Sequence, residues 1–517
     1  MTTNILIGIG GTGAKVVESA LSLVTAGLGS GETDKLHIGL MDQDRANGNV
    51  NRTATRLKNL IRFQRVWGGR SASSLDWSRS DSRIPFGSLP VAELFDDRAL
   101  WCPEGDDLSL ASIVGQDLSP QQQDLFDLLF MPGEQEQDLQ LGEGYRGRAH
   151  VGAAALIASM LKDENELIDR LRELMESASR DGVRIFIVGS AFGGTGAAGF
   201  PTLARELDRI RRDPKFPNKE YVSVGGALML PYFHFAKPED ESQPVVTSDE
   251  LLPKARLALE YYGRLFETEK TFDRFYVVGW DPFFDLGYHE PGNYEQRNPP
   301  LLPELFAATA AVDFLGRDEE GDGRGDVPVM LSARADRGIR WSDLPLAGTE
   351  ERLGQGLRFS AYWRYVVEPL LGQTAFLGGG NWTQKLRGRM KPVDHAEELD
   401  AIRYVTHDML EWAAAMQTMS GENWAPGPWN TLRFHDRSYD GSDPRERVRL
   451  LPHPFAGAED AFDQLVRAAT GEPHPRDSDQ VYEALINNAP VLAAGENEGY
   501  GKVAAAAYRA MSSDGER

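Results

Sequence analysis

The chain reads as a doubly wound α/β protein, a parallel sheet with helices on both faces. Three observations predict this. Apolar runs of strand length alternate with helical patterns over about the first three hundred residues. Two of those runs end in glycine-rich turns that open helices, at residues 8–13 (GIGGTG) and 189–196 (GSAFGGTG). Polar loops recur where strands end, which is where the sites of such sheets lie.

In chain order, residues 4–7 form a strand that runs into the first glycine turn, and a helix follows over 14–26. The second strand, 36–41, ends in DQDRANGN, whose Asp42, Asp44, Asn47 and Asn49 are either a polar site or an Asx-rich turn. Residues 57–141 read as an insertion, with Trp67, Trp77 and Trp101 among polar residues, a helix over 120–130, and a partner surface at 67–101. At 142–158 a third glycine-rich turn feeds a small-residue helix. Its Arg146 and Arg148 suit a terminal phosphate, or alternatively surface ion pairs.

An amphipathic helix over 167–175 precedes the buried strand 185–188, and after the second glycine turn Leu203, Leu207 and Ile210 mark one face of a helix. A strand, a glycine turn and a helix start together make an anion cradle, because glycine lacks the Cβ that would hold an anion away from the backbone N–H groups. Strands follow at 221–230 and 274–279, with a helix over 253–266 between them. The polar stretch 231–249 reads as a flap or assembly surface, and 280–300 as a long loop carrying Asn298. A helix over 301–315 closes a first domain, 1–316, and the acidic, glycine-rich stretch 318–326 marks its boundary. A second α+β domain is expected over 327–440, with a strand at 327–331, Asp343 on a turn at 339–345, and helices at 353–371 and 396–419. Residues 441–517 read as a helical C-terminal segment.

Composition narrows the chemistry. With 55 basic against 78 acidic residues the net charge is −23, which argues against a general nucleic-acid surface. The single Cys102 rules out an intrachain disulfide framework and fits a reducing compartment. No apolar run approaches the roughly eighteen residues of a membrane span, and no basic leader precedes the first strand, so the cytoplasm is the expected location. The nine histidines show no metal-binding spacing, no G-x-S-x-G elbow occurs, and neither glycine turn contains the lysine of a P-loop. Phosphate binding by backbone N–H groups, arginine and magnesium remains. So does a dinucleotide fold, in which the first turn and Asp42 would hold NAD for an oxidoreductase.

FGGTGAAG at 192–199 resembles the tubulin and FtsZ signature G-G-G-T-G-[ST]-G, and GIGGTG resembles that superfamily's first nucleotide loop. The style is closest to the bacterial tubulin-like proteins. The resemblance spans about residues 4–316. It implies GTP or GDP with Mg2+, head-to-tail self-association, and GTP hydrolysis completed in trans by an acidic loop. It assigns Gly10, Gly11, Thr12 and Gly13 to the first loop, Asp44 and Asn47 to the second, and Gly147 and Arg148 to the third. Gly193, Gly194, Thr195 and Gly196 would form the fourth, Asn298 would read the base, and Asp343 in GIRWSDLP would orient water, with Asp313 and Asp336 as competitors. Phe192 stands where the family has glycine, and Ala197 and Ala198 replace small or hydroxyl positions. A non-polymerising, nucleotide-controlled scaffold using 67–101 and 280–300 is the other reading of the same site.

Overall fold

The structure is a computed structural model that describes residues 2–29, 35–68, 85–103, 108–116, 118–145, 147–161, 164–177, 182–236, 248–268, 271–280, 283–288, 296–316, 329–331, 341–368, 371, 392–420 and 500–510. Its elements are β1 (Thr3–Ile9), α1 (Gly10–Thr25), β2 (Lys35–Met41), α2 (Gly48–Gly68), β3 (Val91–Glu93) and β4 (Leu100–Trp101), followed by α3 (Leu110–Val114), α4 (Pro120–Leu129), α5 (Ala149–Met160) and α6 (Glu166–Glu176). Next come β5 (Val183–Ser190), α7 (Gly194–Arg212), β6 (Val222–Met229), β7 (Phe233–Ala236), α8 (Ser248–Thr268), β8 (Arg274–Val278) and β9 (Phe284–Tyr288). The last are α9 (Leu302–Gly316), β10 (Val329–Leu331), α10 (Thr349–Tyr362), α11 (Ala396–Ser420) and α12 (Tyr500–Ala510).

Eight strands form one parallel sheet in the order β10-β8-β6-β5-β1-β2-β3, with β4 also pairing with β2. From β1 the chain winds outward through β2 to β3, then returns to β5 and winds the other way. The order therefore reverses between β1 and β5, which are hydrogen-bonded neighbours. Strand alternation builds two apolar layers. Ile5, Ile7, Ile185 and Ile187 face the layer of α5, α6 and α7, whereas Leu6, Phe186 and Val188 face that of α1, α2, α9, α10 and α11. This is the predicted doubly wound α/β architecture, common to nucleotide-binding folds.

Several elements differ from the sequence reading. Both helices after the glycine turns start earlier, at Gly10 and Gly194, so the glycines lie in the first helical turn. The stretch taken as an insertion contributes much of α2 and the edge strands β3 and β4 to the sheet layer. The stretches read as a flap and as a long loop carry β7 and β9, which pair in a separate two-stranded sheet. β10, expected to open a second domain, pairs with β8 in the first sheet, and among the described residues of 341–420 the regular elements are helices. Arg146, Trp77, Asp336, most of the segment after 420 and part of 231–249 lie outside the described residues.

α11 belongs to the main core because its apolar face, with Ile402, Met409 and Trp412, meets α1 and α2. Polar contacts fix that docking. The Trp412 indole donates to the Ser19 hydroxyl at 3.2 Å, Trp67 donates to the Glu398 carbonyl at 2.8 Å, and Asn59 donates to Asp408 at 2.7 Å. Beneath them the buried Glu18 accepts from Arg52 at 2.7 and 2.9 Å and pairs with Arg56, which also reaches Glu411 at 3.2 Å. Among the described residues no helix is long and apolar enough to cross a membrane.

Burial pushes the Glu18 carboxyl up, but Arg52 and Arg56 outweigh it and the net shift is downward. Glu18→Ala should therefore cost about 3 kcal/mol or more, because it strands buried guanidinium charge. The stabilisation from Glu18 is present above the ordinary carboxylate range and is lost as pH falls through its lowered pKa. Urea denaturation at pH 7 and in acid should show a deficit that shrinks on acidification. A deficit under about 1 kcal/mol at pH 7 would contradict this role.

Candidate functional site

The C-terminal ends of β1 and β5 place two glycine turns against each other. Gly10 has φ +72°, and a Cβ there would lie 3.0 Å from the Gly196 nitrogen. A Cβ on Gly13 would lie 2.6 Å from the Val188 carbonyl oxygen, so Gly13 lets α1 pack onto β5. The third turn joins them, since a Cβ on Gly194 would meet Tyr145 at 3.0 Å and the Gly147 nitrogen at 3.1 Å. The N-caps of α1 and α7 are Ile9 and Gly193, both extended, and neither makes a side-chain capping bond. Both helices thus present first-turn N–H groups, with the positive end of the helix dipole, at one cleft.

The wall below is acidic and amide-rich. Thr195, on α7, donates its hydroxyl to Asp42, at the end of β2, at 2.9 Å. Asn47 donates to Asp42 at 3.3 Å and to Gln296 at 3.1 Å, and Asp44 accepts from the Ala46 N–H at 2.9 Å. Burial pushes Asp42 up to about 7. The Thr195 hydrogen bond opposes this and the neighbouring Asp44 charge adds to it. Tyr145, from the third turn, reaches Gln43 at 3.4 Å, and the half-buried Cys102 thiol donates to the Gln43 carbonyl at 3.3 Å.

The cleft is also lined by Lys15, Phe192, Phe233, Phe235, Leu251 and Asn298. Lys15 is buried and pairs with Glu304, at the start of α9, at 2.5 Å, and Glu304 also accepts from the Tyr232 hydroxyl at 2.5 Å and the Leu301 N–H at 2.8 Å. Burial drives Lys15 down and Glu304 up, and their mutual attraction opposes both shifts. Phe192 packs edge-on against Tyr232 and Phe233, which explains an aromatic side chain in a glycine turn: it anchors the turn to the β7 wall. The backbone of Asn298 is held at both ends, its N–H by Asn49 at 2.9 Å and its carbonyl by Arg52 at 2.8 Å.

Of the residues singled out in the sequence, Gly10, Gly11, Thr12, Asp44, Asn47, Gly193, Gly194, Thr195, Gly196 and Asn298 all line this cleft. Gly13 lies beneath it. Arg148 is the N-cap residue of α5 and lines a neighbouring groove, and Asp343 ends a short turn, Trp341–Asp343, away from the cleft lining. Lys15, Tyr145, Ser190, Gln296 and Glu304 escaped the sequence reading. Lys15 stayed hidden because Glu18, Ser19 and Ser22 share its face of α1 and read in sequence as a solvated face, whereas all four are buried. No protein-family model matches the chain, and no curated protein matches it in sequence.

The raised pKa of Asp42 has a stability consequence. Its folded form binds a proton more tightly than its unfolded form, so its contribution is full below about pH 4 and is lost as pH rises through 7. Asp42→Asn should then stabilise the ligand-free chain above pH 7, by up to about 4 kcal/mol, with the gain vanishing near pH 4. Thermal melts at pH 4, 6 and 8 test this. A gain independent of pH would mean that Asp42 is not the titrating group.

Proposed function

We propose that the cleft binds a guanine nucleotide with Mg2+ and that the chain self-associates head to tail in response, as in the tubulin and FtsZ superfamily. One observation carries the reading: two helix N-termini without side-chain caps, from neighbouring strands where the sheet order reverses, meet in a single cleft. A dinucleotide fold needs only the first of these turns, whereas a di- or triphosphate uses both. The N–H groups from Gly10 to Thr12 and from Gly194 to Gly196 would bind phosphate oxygens, and the side chain of Asn298 would face the base.

Among the described residues no group of three His, Cys, Asp or Glu side chains is placed to hold a metal ion. Asp42 and Asp44 fit Mg2+ only as partial ligands, with phosphate oxygens and water completing the shell. Bound there, Mg2+ would neutralise phosphate charge. Asp343, outside its own cleft, would orient the attacking water in a neighbouring subunit, and assembly would then gate hydrolysis.

Release of the nucleotide from purified chain by denaturation, followed by chromatography, should yield GDP or GTP. Gly11→Val should lower GTP affinity at least about 100-fold, near 2.7 kcal/mol, with little change in thermal midpoint, because its Cβ would meet only the Asn47 and Asn49 side chains within the cleft. Asp343→Ala should bind GTP and assemble but not turn over. Bound NAD, or undiminished GTP binding by folded G11V, would contradict the reading.

A further inference from the structure

Two apolar surfaces complement each other, one on α4 and one in a groove that borders the cleft. Phe126 on α4 and Phe130 directly after it are buried, while Leu125, Leu128 and Leu129 are 54, 81 and 57% exposed, and Met131, just beyond, is 57% exposed. This is an i, i+3, i+4 stripe of the kind that enters a groove. It is flanked by the exposed Asp124 and Asp127, and among the described residues the Asp127 carboxylate takes neutral amide donors, from Gln123 at 2.9 Å and Gln137 at 3.1 Å. The second surface is a groove of about 1120 Å³ between α5, α7 and α8. Its exposed apolar residues include Ile157, Leu161, Leu257 and Tyr261. Six cationic side chains line it against three acids, in a chain whose net charge is −23.

We propose that the leucine stripe of α4 docks into the groove between α5, α7 and α8 of a second copy of this chain. Charge complementarity selects the occupant, since an acidic apolar helix meets a groove with a basic rim, and this chain presents such a helix. The stripe cannot serve its own groove. Phe130 stacks on His150, which lines the groove's edge, with ring centroids 6.0 Å apart. α4 is thereby pinned by its inner face beside the groove, and its leucines point away from the core. Because Phe130 and His150 hold the stripe beside the groove, two copies could exchange helices about a two-fold axis. The groove borders the cleft, sharing Gly147, Phe192 and Gly193 with its lining, while the four exposed apolar groove residues named above belong to the groove alone.

Sedimentation of the full chain without nucleotide should show concentration-dependent association. Leu128→Glu and Leu257→Glu, both at exposed positions, should each raise the midpoint concentration at least about tenfold while circular dichroism stays unchanged. Mixed under mild oxidation, L128C and L257C chains should form a cross-linked pair that neither forms alone. A chain that stays monomeric at about 100 μM would overturn the proposal. So would association insensitive to either variant, or a monomer whose thermal stability falls in L257E, which would place a segment of the same chain in the groove.

Discussion

The whole arrangement depends on backbone meeting backbone at the ends of β1 and β5. Strands in one sheet lie about 4.8 Å apart, so two turns leaving neighbouring strands compete for the same space unless side chains are removed. Here they are removed where contact occurs. Gly8 faces the Gly13 carbonyl, Gly13 the Val188 carbonyl, Gly10 the Gly196 nitrogen, and Gly194 the third turn at Gly147. Because the sheet order reverses at this point, α1 and α7 leave toward opposite faces, and their N-termini diverge only after converging at the cleft.

Electrostatics follow from that geometry. Two helix dipoles bring partial positive charge to a cleft whose lower wall carries Asp42 and Asp44. Asp42, which among the described residues has no cationic side chain paired to it, holds a proton up to about pH 7 and is tied to α7 through Thr195. Lys15, also in the lining, and Glu304 neutralise each other and join α1 to α9, the almost fully buried helix that both the sheet and α1 pack against. The cleft is thus lined by closely packed backbone where the proposed phosphate would sit, and its buried charge is paired on the Lys15 side.

Fold class was legible because period and glycine position are local signals. The runs at β1, β2, β5, β6 and β8 and the glycine turns between strand and helix were all readable. Most of the residues proposed from the sequence line one cleft, and that follows from the same topology: residues at the C-terminal ends of neighbouring parallel strands must meet. What stayed hidden was non-local. Helix starts were placed late because Gly10, Gly11 and Gly194 are poor helix formers, and tertiary contact overrides that propensity. β7 and β9 are short and far apart in sequence, so only their pairing reveals them. Arg148 suits either a phosphate or a surface ion pair in sequence, and its turn places it in the groove while the preceding Gly147 borders both groove and cleft.

The central claim is that the two glycine turns form one phosphate site. Hydrogen exchange of the full chain, with and without GTP and Mg2+, tests it most directly, because it reads the backbone N–H groups that the claim invokes. Peptides spanning residues 8–15 and 190–196 should gain protection together and at the same nucleotide concentration. Protection of the first peptide alone, or of neither, would contradict the account.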